Sequence, residues 1–151
     1  VKIGSAESVD YAENEFDTVI FNGTPSYIKN LKQAFTEAHR ILKPAGHILV
    51  LDVPKESSYA LLYNLAKVLK TYDSPLLEGA VPVTPYPVEF LSIANWRTTR
   101  EKINLLKEVG FTDFEYAQTL TRHPVYSNME KEEPVAGYDR GDYVAIRGEK
   151  R

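Results

Sequence analysis

The sequence predicts an α/β fold whose sheet is mostly parallel and ends in a closing antiparallel hairpin, on three observations. Strand-like and helix-like segments alternate through the first two thirds of the chain, as in strands joined by helices. Ile48-Leu49-Val50-Leu51 is apolar without a break, as in a central strand covered on both faces. The last two strand-like segments have no helical pattern between them, which suits an antiparallel pair.

The elements follow in order. Val1-Lys2-Ile3 reads as the end of a short strand, stopped by Gly4. Ser5 to Glu15 is polar and acidic, hence a loop, and Phe16 to Phe21 is an apolar, β-branched run that suits a buried strand. Asn22-Gly23-Thr24-Pro25 is turn chemistry, with Thr24 or Ser26 placed to cap a helix and Pro25 suited to its first turn. Ile28, Leu31, Phe35, Ala38 and Leu42 then recur at helical spacing, with Ala34 and Ile41 widening the stripe. Lys43-Pro44 ends that helix, because proline restricts the residue before it.

Ser57 to Tyr72 is a second helix, with Leu61, Leu62, Leu65, Val68 and Leu69 as its core side. Residues 73–97 hold four of the nine prolines together with Tyr86, Phe90 and Trp96, and form an irregular aromatic excursion. Thr98-x-x-Glu101 is a capping box for a third helix carrying Ile103, Leu106 and Val109, and Gly110 is its natural terminator. Phe111 to Leu120 suits a strand, Arg122 to Asp142 a loop, and Tyr143 to Ile146 a closing strand.

Composition bounds the function classes. At 151 residues, 43% of them hydrophobic, with a net charge of −3, the chain makes one domain with its own core. Without cysteine it is no disulfide scaffold, and no apolar run reaches the ~18 residues of a membrane span. No signal sequence opens it, so the cytoplasm is the default compartment. The charge balance and the lack of a basic stripe argue against nucleic acid. His39, His47 and His123 match no metal-ligand spacing, and no nucleophile elbow is present.

Several strings resemble class I S-adenosylmethionine-dependent methyltransferases. HRILKPAGHILVLD, from His39 to Asp52, is similar to that family's helix, KPGG turn and fifth strand. Ser5-Ala6-Glu7 and Phe16-Asp17-x-Val19 resemble its third-strand exit and fourth strand. Trp96, the helix ending Val109-Gly110-Phe111 and the closing 143–148 segment resemble its last part. The resemblance implies a Rossmann-like sheet in which Ser5, Ala6 and Glu7 lie on the adenine side and Asn22 and Gly23 face the methionyl part of the cofactor. The usual carboxylate partner of the adenine is replaced by Ser5. Tyr27, Tyr86 and Trp96 would stand on the substrate side, residues 73–97 forming a cover. No catalytic residue is implied.

The resemblance also implies an absence. The family's Gly-rich turn after its first strand and the carboxylate after its second cannot be placed, so about 60 residues, at ~30 per βα unit, would precede Val1. The chain then reads as one partial domain, residues 1–151, the C-terminal portion of an S-adenosylmethionine-dependent methyltransferase acting on a small molecule. Its cofactor affinity alone would be weak or absent. Phe16–Phe21 would become a sheet edge open to self-association or to an N-terminal half. The alternative is a non-catalytic, methyltransferase-like interaction module that needs a partner. Ala45, where the family has glycine, would be strained if its backbone were left-handed.

Overall fold

The computed structural model describes residues 2–126 and 129–151. Its strands are β1 (Phe16–Asn22), β2 (Leu42–Asp52), β3 (Phe111–Thr119), β4 (Val135–Ala136) and β5 (Tyr143–Lys150). Its α-helices are α1 (Leu31–Ile41), α2 (Ser58–Leu69), α3 (Val88–Leu91) and α4 (Thr99–Glu108). The sheet order is β1-β2-β5-β3-β4. β1 and β2 pair in parallel, while β5 runs against both β2 and β3. The sheet is therefore mixed in its pairings, because β5 inserts between two strands that point the other way. The predicted hairpin is this β3–β5 pair, with the two-residue β4 added at its outer edge.

The predicted opening strand does not form. Val1 lies outside the described residues, and Lys2 to Gly4 take no regular structure. Ile3 is fully exposed, with no strand beside it to complete a ladder. The loop read over Arg122 to Asp142 contains a short 3-10 turn at Pro124–Tyr126 and β4; Ser127 and Asn128 lie outside the described residues.

One face of the sheet carries the main core. Leu31, Ala34, Phe35 and Ala38 of α1 and Ile103 and Leu106 of α4 pack on Phe21, Ile48, Val50, Val144 and Ile146. The α1 stripe is the one the periodicity predicts, but the helix starts later. Thr24-Pro25 opens a 3-10 turn over Pro25–Tyr27, and the cap of α1 is Asn30, whose side chain accepts from the Gln33 N–H. α4 carries the predicted capping box, with reciprocal bonds between Thr98 and Glu101. Thr98→Ala is expected to cost about 1 kcal/mol in urea unfolding. The bonds from Thr98 hold the Glu101 carboxyl below its ordinary value. A folded pKa lower than the unfolded one gives stability that is present above the unfolded value, about 4.3, and fades as pH falls. The melting temperatures of wild type and Glu101→Gln should therefore converge in acid.

β2 is irregular near its start, where its register with β1 shifts between Phe16 and Thr18. A side chain on Gly46 would bring its Cβ within 2.8 Å of the Lys43 carbonyl oxygen and 3.1 Å of that of Asp17. Next to it, Ala45 has φ +59°, so the left-handed geometry that glycine would relieve is present. Ala45→Gly is expected to stabilise the fold by about 0.5–1 kcal/mol, strain relief outweighing the added chain entropy. A denaturation midpoint that falls would contradict this.

α2 packs on a face rotated from the one predicted: Leu62 and Leu69 pack inward as expected, whereas Leu61, Leu65 and Val68 do not. Tyr59, Ala60, Leu62, Tyr63 and Ala66 turn inward, and Leu61, Leu65 and Val68 face solvent. Both stripes of this helix are apolar, so periodicity alone does not choose between them. The aromatic stripe wins because it packs on Leu77, Leu91, Ala94 and Trp96 in a second buried cluster, separate from the first. The 73–97 excursion is thus a small packed lid. Trp96 is buried within it, while Tyr86 and Phe90 stay partly exposed.

Candidate functional site

β1 and β2 run parallel and end side by side, Asn22 beside Leu51. The carboxyl ends of such strands open a crevice where ligands bind. Here the Gly23 N–H donates to the Leu51 carbonyl at 2.8 Å, which fixes the exit of β1 against β2. The lid closes over this crevice and leaves a cavity of about 570 Å³, within the usual range of small-molecule sites.

Asn22 and Gly23 form one side of the cavity. The Asn22 Oδ1 accepts from the Tyr143 hydroxyl at 2.7 Å, joining β1 to β5 across the end of β2. The opposite side is aromatic. Trp96 and Tyr63 lie 5.7 Å apart by ring centroid, and Tyr86 sits 6.1 Å from Tyr63. The Tyr27 hydroxyl donates to that of Tyr86 at 3.1 Å, and Tyr72 donates to the Tyr86 carbonyl at 2.8 Å. Burial raises Tyr27, Tyr63 and Tyr143 above the ordinary phenol value and pushes Tyr72 up to about 12. These four hydroxyls therefore stay protonated at ordinary pH, as neutral donors and acceptors.

The floor is charged. Asp52, the last residue of β2, is 3% exposed. Its Oδ2 accepts from the Ser26 hydroxyl at 2.9 Å and from Lys102 Nζ at 3.2 Å. Lys102 is itself 1% exposed, reaching in from α4. Burial pulls the lysine below its ordinary value, and Asp52 works against that pull.

The lid is fastened at several points. Arg97 donates to the carbonyls of Pro25, Ile28 and Lys29 at 2.9, 3.0 and 3.2 Å, and the Asn95 N–H donates to the Ser26 carbonyl at 2.7 Å. Asp142, just before β5, accepts the Ser58 N–H at 2.8 Å and the Ser58 hydroxyl, holding the start of α2. Burial raises this carboxyl above its ordinary value, against the bonds from Ser58.

Of the residues singled out by sequence, Asn22, Gly23, Tyr27, Tyr86 and Trp96 all line this cavity. Ser5, Ala6 and Glu7 do not. Ala6 lines a neighbouring groove of about 420 Å³ beside β1, which Tyr27 also borders. Ser5 accepts the Glu7 N–H at 3.2 Å, and the Glu7 carboxylate accepts the Asn30 N–H at 2.8 Å ahead of α1. Sequence reasoning missed Asp52, Lys102, Tyr63 and Tyr143. Asp52 had a signal, an acid directly after an unbroken apolar strand. The described residues hold no cluster of groups suited to a metal ion and no helix long and apolar enough to cross a membrane.

Residues 1–50 match the family model described as a methyltransferase domain. Over 150 residues the chain is 27% identical to an uncharacterised protein of Methanocaldococcus jannaschii, covering 99% of this chain and 63% of that one. It is 24% identical over 123 residues to the demethylmenaquinone methyltransferase of Symbiobacterium thermophilum, covering 77% of this chain and 49% of the enzyme. Among solved structures, it superposes with TM-score 0.79 and 30% identity on a Thermotoga maritima S-adenosylmethionine-dependent methyltransferase described as a possible histamine N-methyltransferase. That match covers 98% of this chain and 62% of the other. The chain thus spans less than two thirds of the length of each of these relatives.

Proposed function

Because the chain belongs to the class I S-adenosylmethionine-dependent methyltransferase family, we propose that it supplies the acceptor side of an enzyme that methylates a small molecule. The observation that carries this is the lidded, aromatic cavity at the carboxyl ends of the parallel strands β1 and β2. When bound, S-adenosylmethionine supplies an electrophilic methyl group on a sulfonium sulfur.

The residues present fit one side of that cofactor. Gly23 has φ +63°, and the position its side chain would occupy has only the Tyr143 hydroxyl near it, at 3.8 Å. A ligand can approach this backbone closely. Asn22 and Gly23 would face the methionyl part, with Ala6 across β1. The rest of the hold on the cofactor would come from residues outside this chain, so the chain alone is expected to bind it weakly or not at all. The lid's part is to orient the acceptor and exclude water, the main contribution a protein makes to a direct displacement. A compact ring compound suits the flat walls formed by Tyr63, Tyr86 and Trp96. The relatives include a demethylmenaquinone methyltransferase and a possible histamine N-methyltransferase.

Calorimetric titration with S-adenosylmethionine tests the cofactor half, and micromolar binding to the chain alone would overturn its incompleteness. The acceptor half is tested by transfer of labelled methyl from S-adenosylmethionine to a panel of ring amines and quinols, using the protein as it is expressed in its source cells. Cofactor binding without transfer to any panel member would sink the acceptor reading.

One observation favours a second reading, a non-catalytic interaction module. β1 is the sheet edge, and Ile20 on it is 60% exposed. Such an edge recruits another strand or surface. This reading expects concentration-dependent association in sedimentation velocity; a monodisperse monomer at all concentrations counts against it.

A further inference from the structure

We propose that Asp52 is the specificity-determining residue of the cavity, and that the acceptor it selects is a cationic amine. The inference rests on the acceptor-pocket reading above. Among the described residues that line the cavity, Asp52 carries the one formal charge; the others are tyrosines, Trp96, prolines and small or neutral side chains. Both of its hydrogen bonds fall on the same oxygen, Oδ2. Oδ1 is the oxygen left for a ligand.

Lys102 is a positioning residue in this arrangement. It comes from α4, in the wall behind β2, and is not among the residues lining the cavity. Together with Ser26 it fixes the rotamer of the carboxylate, so that a donor in the cavity meets a pre-oriented acceptor. Any donor to the carboxylate makes a charge-assisted hydrogen bond; an ammonium adds the attraction of opposite charges, which a neutral donor lacks. The walls add a second preference of the same sign. The faces of Tyr63, Tyr86 and Trp96 carry the negative side of the ring quadrupole, which attracts an ammonium and disfavours an anion. An acceptor with a carboxylate or phosphate beside its reacting atom would find no cation in the cavity lining to receive it.

The chain contains its own reporter, because Trp96 is its single tryptophan and lines the cavity. The test titrates the chain with three shape-matched probes, 2-phenylethylamine, 2-phenylethanol and phenylacetate, and follows Trp96 fluorescence. The amine should bind about tenfold or more tightly than the alcohol, as the added attraction of opposite charges allows, and phenylacetate should leave the signal unchanged. In Asp52→Asn the gap between amine and alcohol should close. Should that variant fail to fold by circular dichroism, the wild-type series decides by itself.

Four results overturn the proposal. Equal binding of all three probes removes the charge selection and leaves the acceptor pocket standing. A gap that persists in a folded Asp52→Asn protein removes Asp52 from it. No response to any probe removes the pocket reading and this one together. A fourth arm separates the two cations the site might meet. If S-adenosylmethionine binds tightly, S-adenosylhomocysteine weakly, and the amine no better than the alcohol, the carboxylate serves the cofactor's sulfonium and the proposal fails.

Discussion

Lys102→Met should destabilise the fold by about 3–5 kcal/mol, the usual cost of removing one partner from a buried ion pair. The methionine fills most of the lysine's volume, so packing loss is a small part of this. The larger part is the Asp52 carboxylate, which stays 3% exposed and keeps only the Ser26 hydroxyl as partner. Replacing both charges separates the two contributions. Asp52→Leu with Lys102→Met leaves no buried charge, and apolar pairs of similar volume are often neutral or better. The double variant should regain most of the loss, falling short by the about 1–3 kcal/mol of a buried Ser26 hydroxyl without a partner. Urea unfolding of the two single variants and the double variant closes the cycle. If Lys102→Met alone costs less than about 1 kcal/mol, the carboxylate has found water or another donor, and the ion pair contributes little to the fold.

Phe35→Ala is expected to cost a similar amount, about 3–5 kcal/mol, for a different reason. Phe35 is completely buried and meets Phe21 edge to face, ring centroids 5.5 Å apart. It joins α1 to the end of β1, beside the cavity. Truncation leaves a void between a helix and a strand that are each held by other contacts, so collapse around it is limited. Leu61→Ala is the control on a residue 63% exposed, and should stay within about 0.5 kcal/mol. A large effect at Leu61 would mean that its face of α2 is covered in solution.

The sheet-side fold was legible in the sequence because α1 and α4 each have one apolar stripe and β2 one unbroken apolar run. The α1 stripe of Leu31, Phe35 and Ala38, the β2 run and the capping box at Thr98 all appear where their patterns place them. α2 was not legible, since its two faces are both apolar and the choice was made by aromatic packing from residues 77–96. Ser5, Ala6 and Glu7 were assigned through resemblance alone, and locally their bonds serve the turn before α1. Lys102 was hidden by residue type. It stands on the inward stripe formed by Thr99, Ile103 and Leu106, a spacing that reads as buried, but a lysine there is ordinarily assigned to solvent. A lysine on an apolar helix stripe, paired with an acid at the end of an apolar strand, is the pattern that would have found the site's floor.

The division of the buried side chains into two clusters has a kinetic meaning. The sheet cluster and the lid cluster share none of their buried members. The lid can therefore open as a unit while β2 and β5 stay paired, and sub-global openings of this kind cost less than full unfolding. Backbone amides of α2 should exchange with deuterium well before those of β2 between Ile48 and Leu51, with one common opening rate across α2. A ligand of the cavity would then enter through a door whose hinges are the Arg97 and Asp142 attachments, and its arrival and departure would be timed by that door rather than by the sheet.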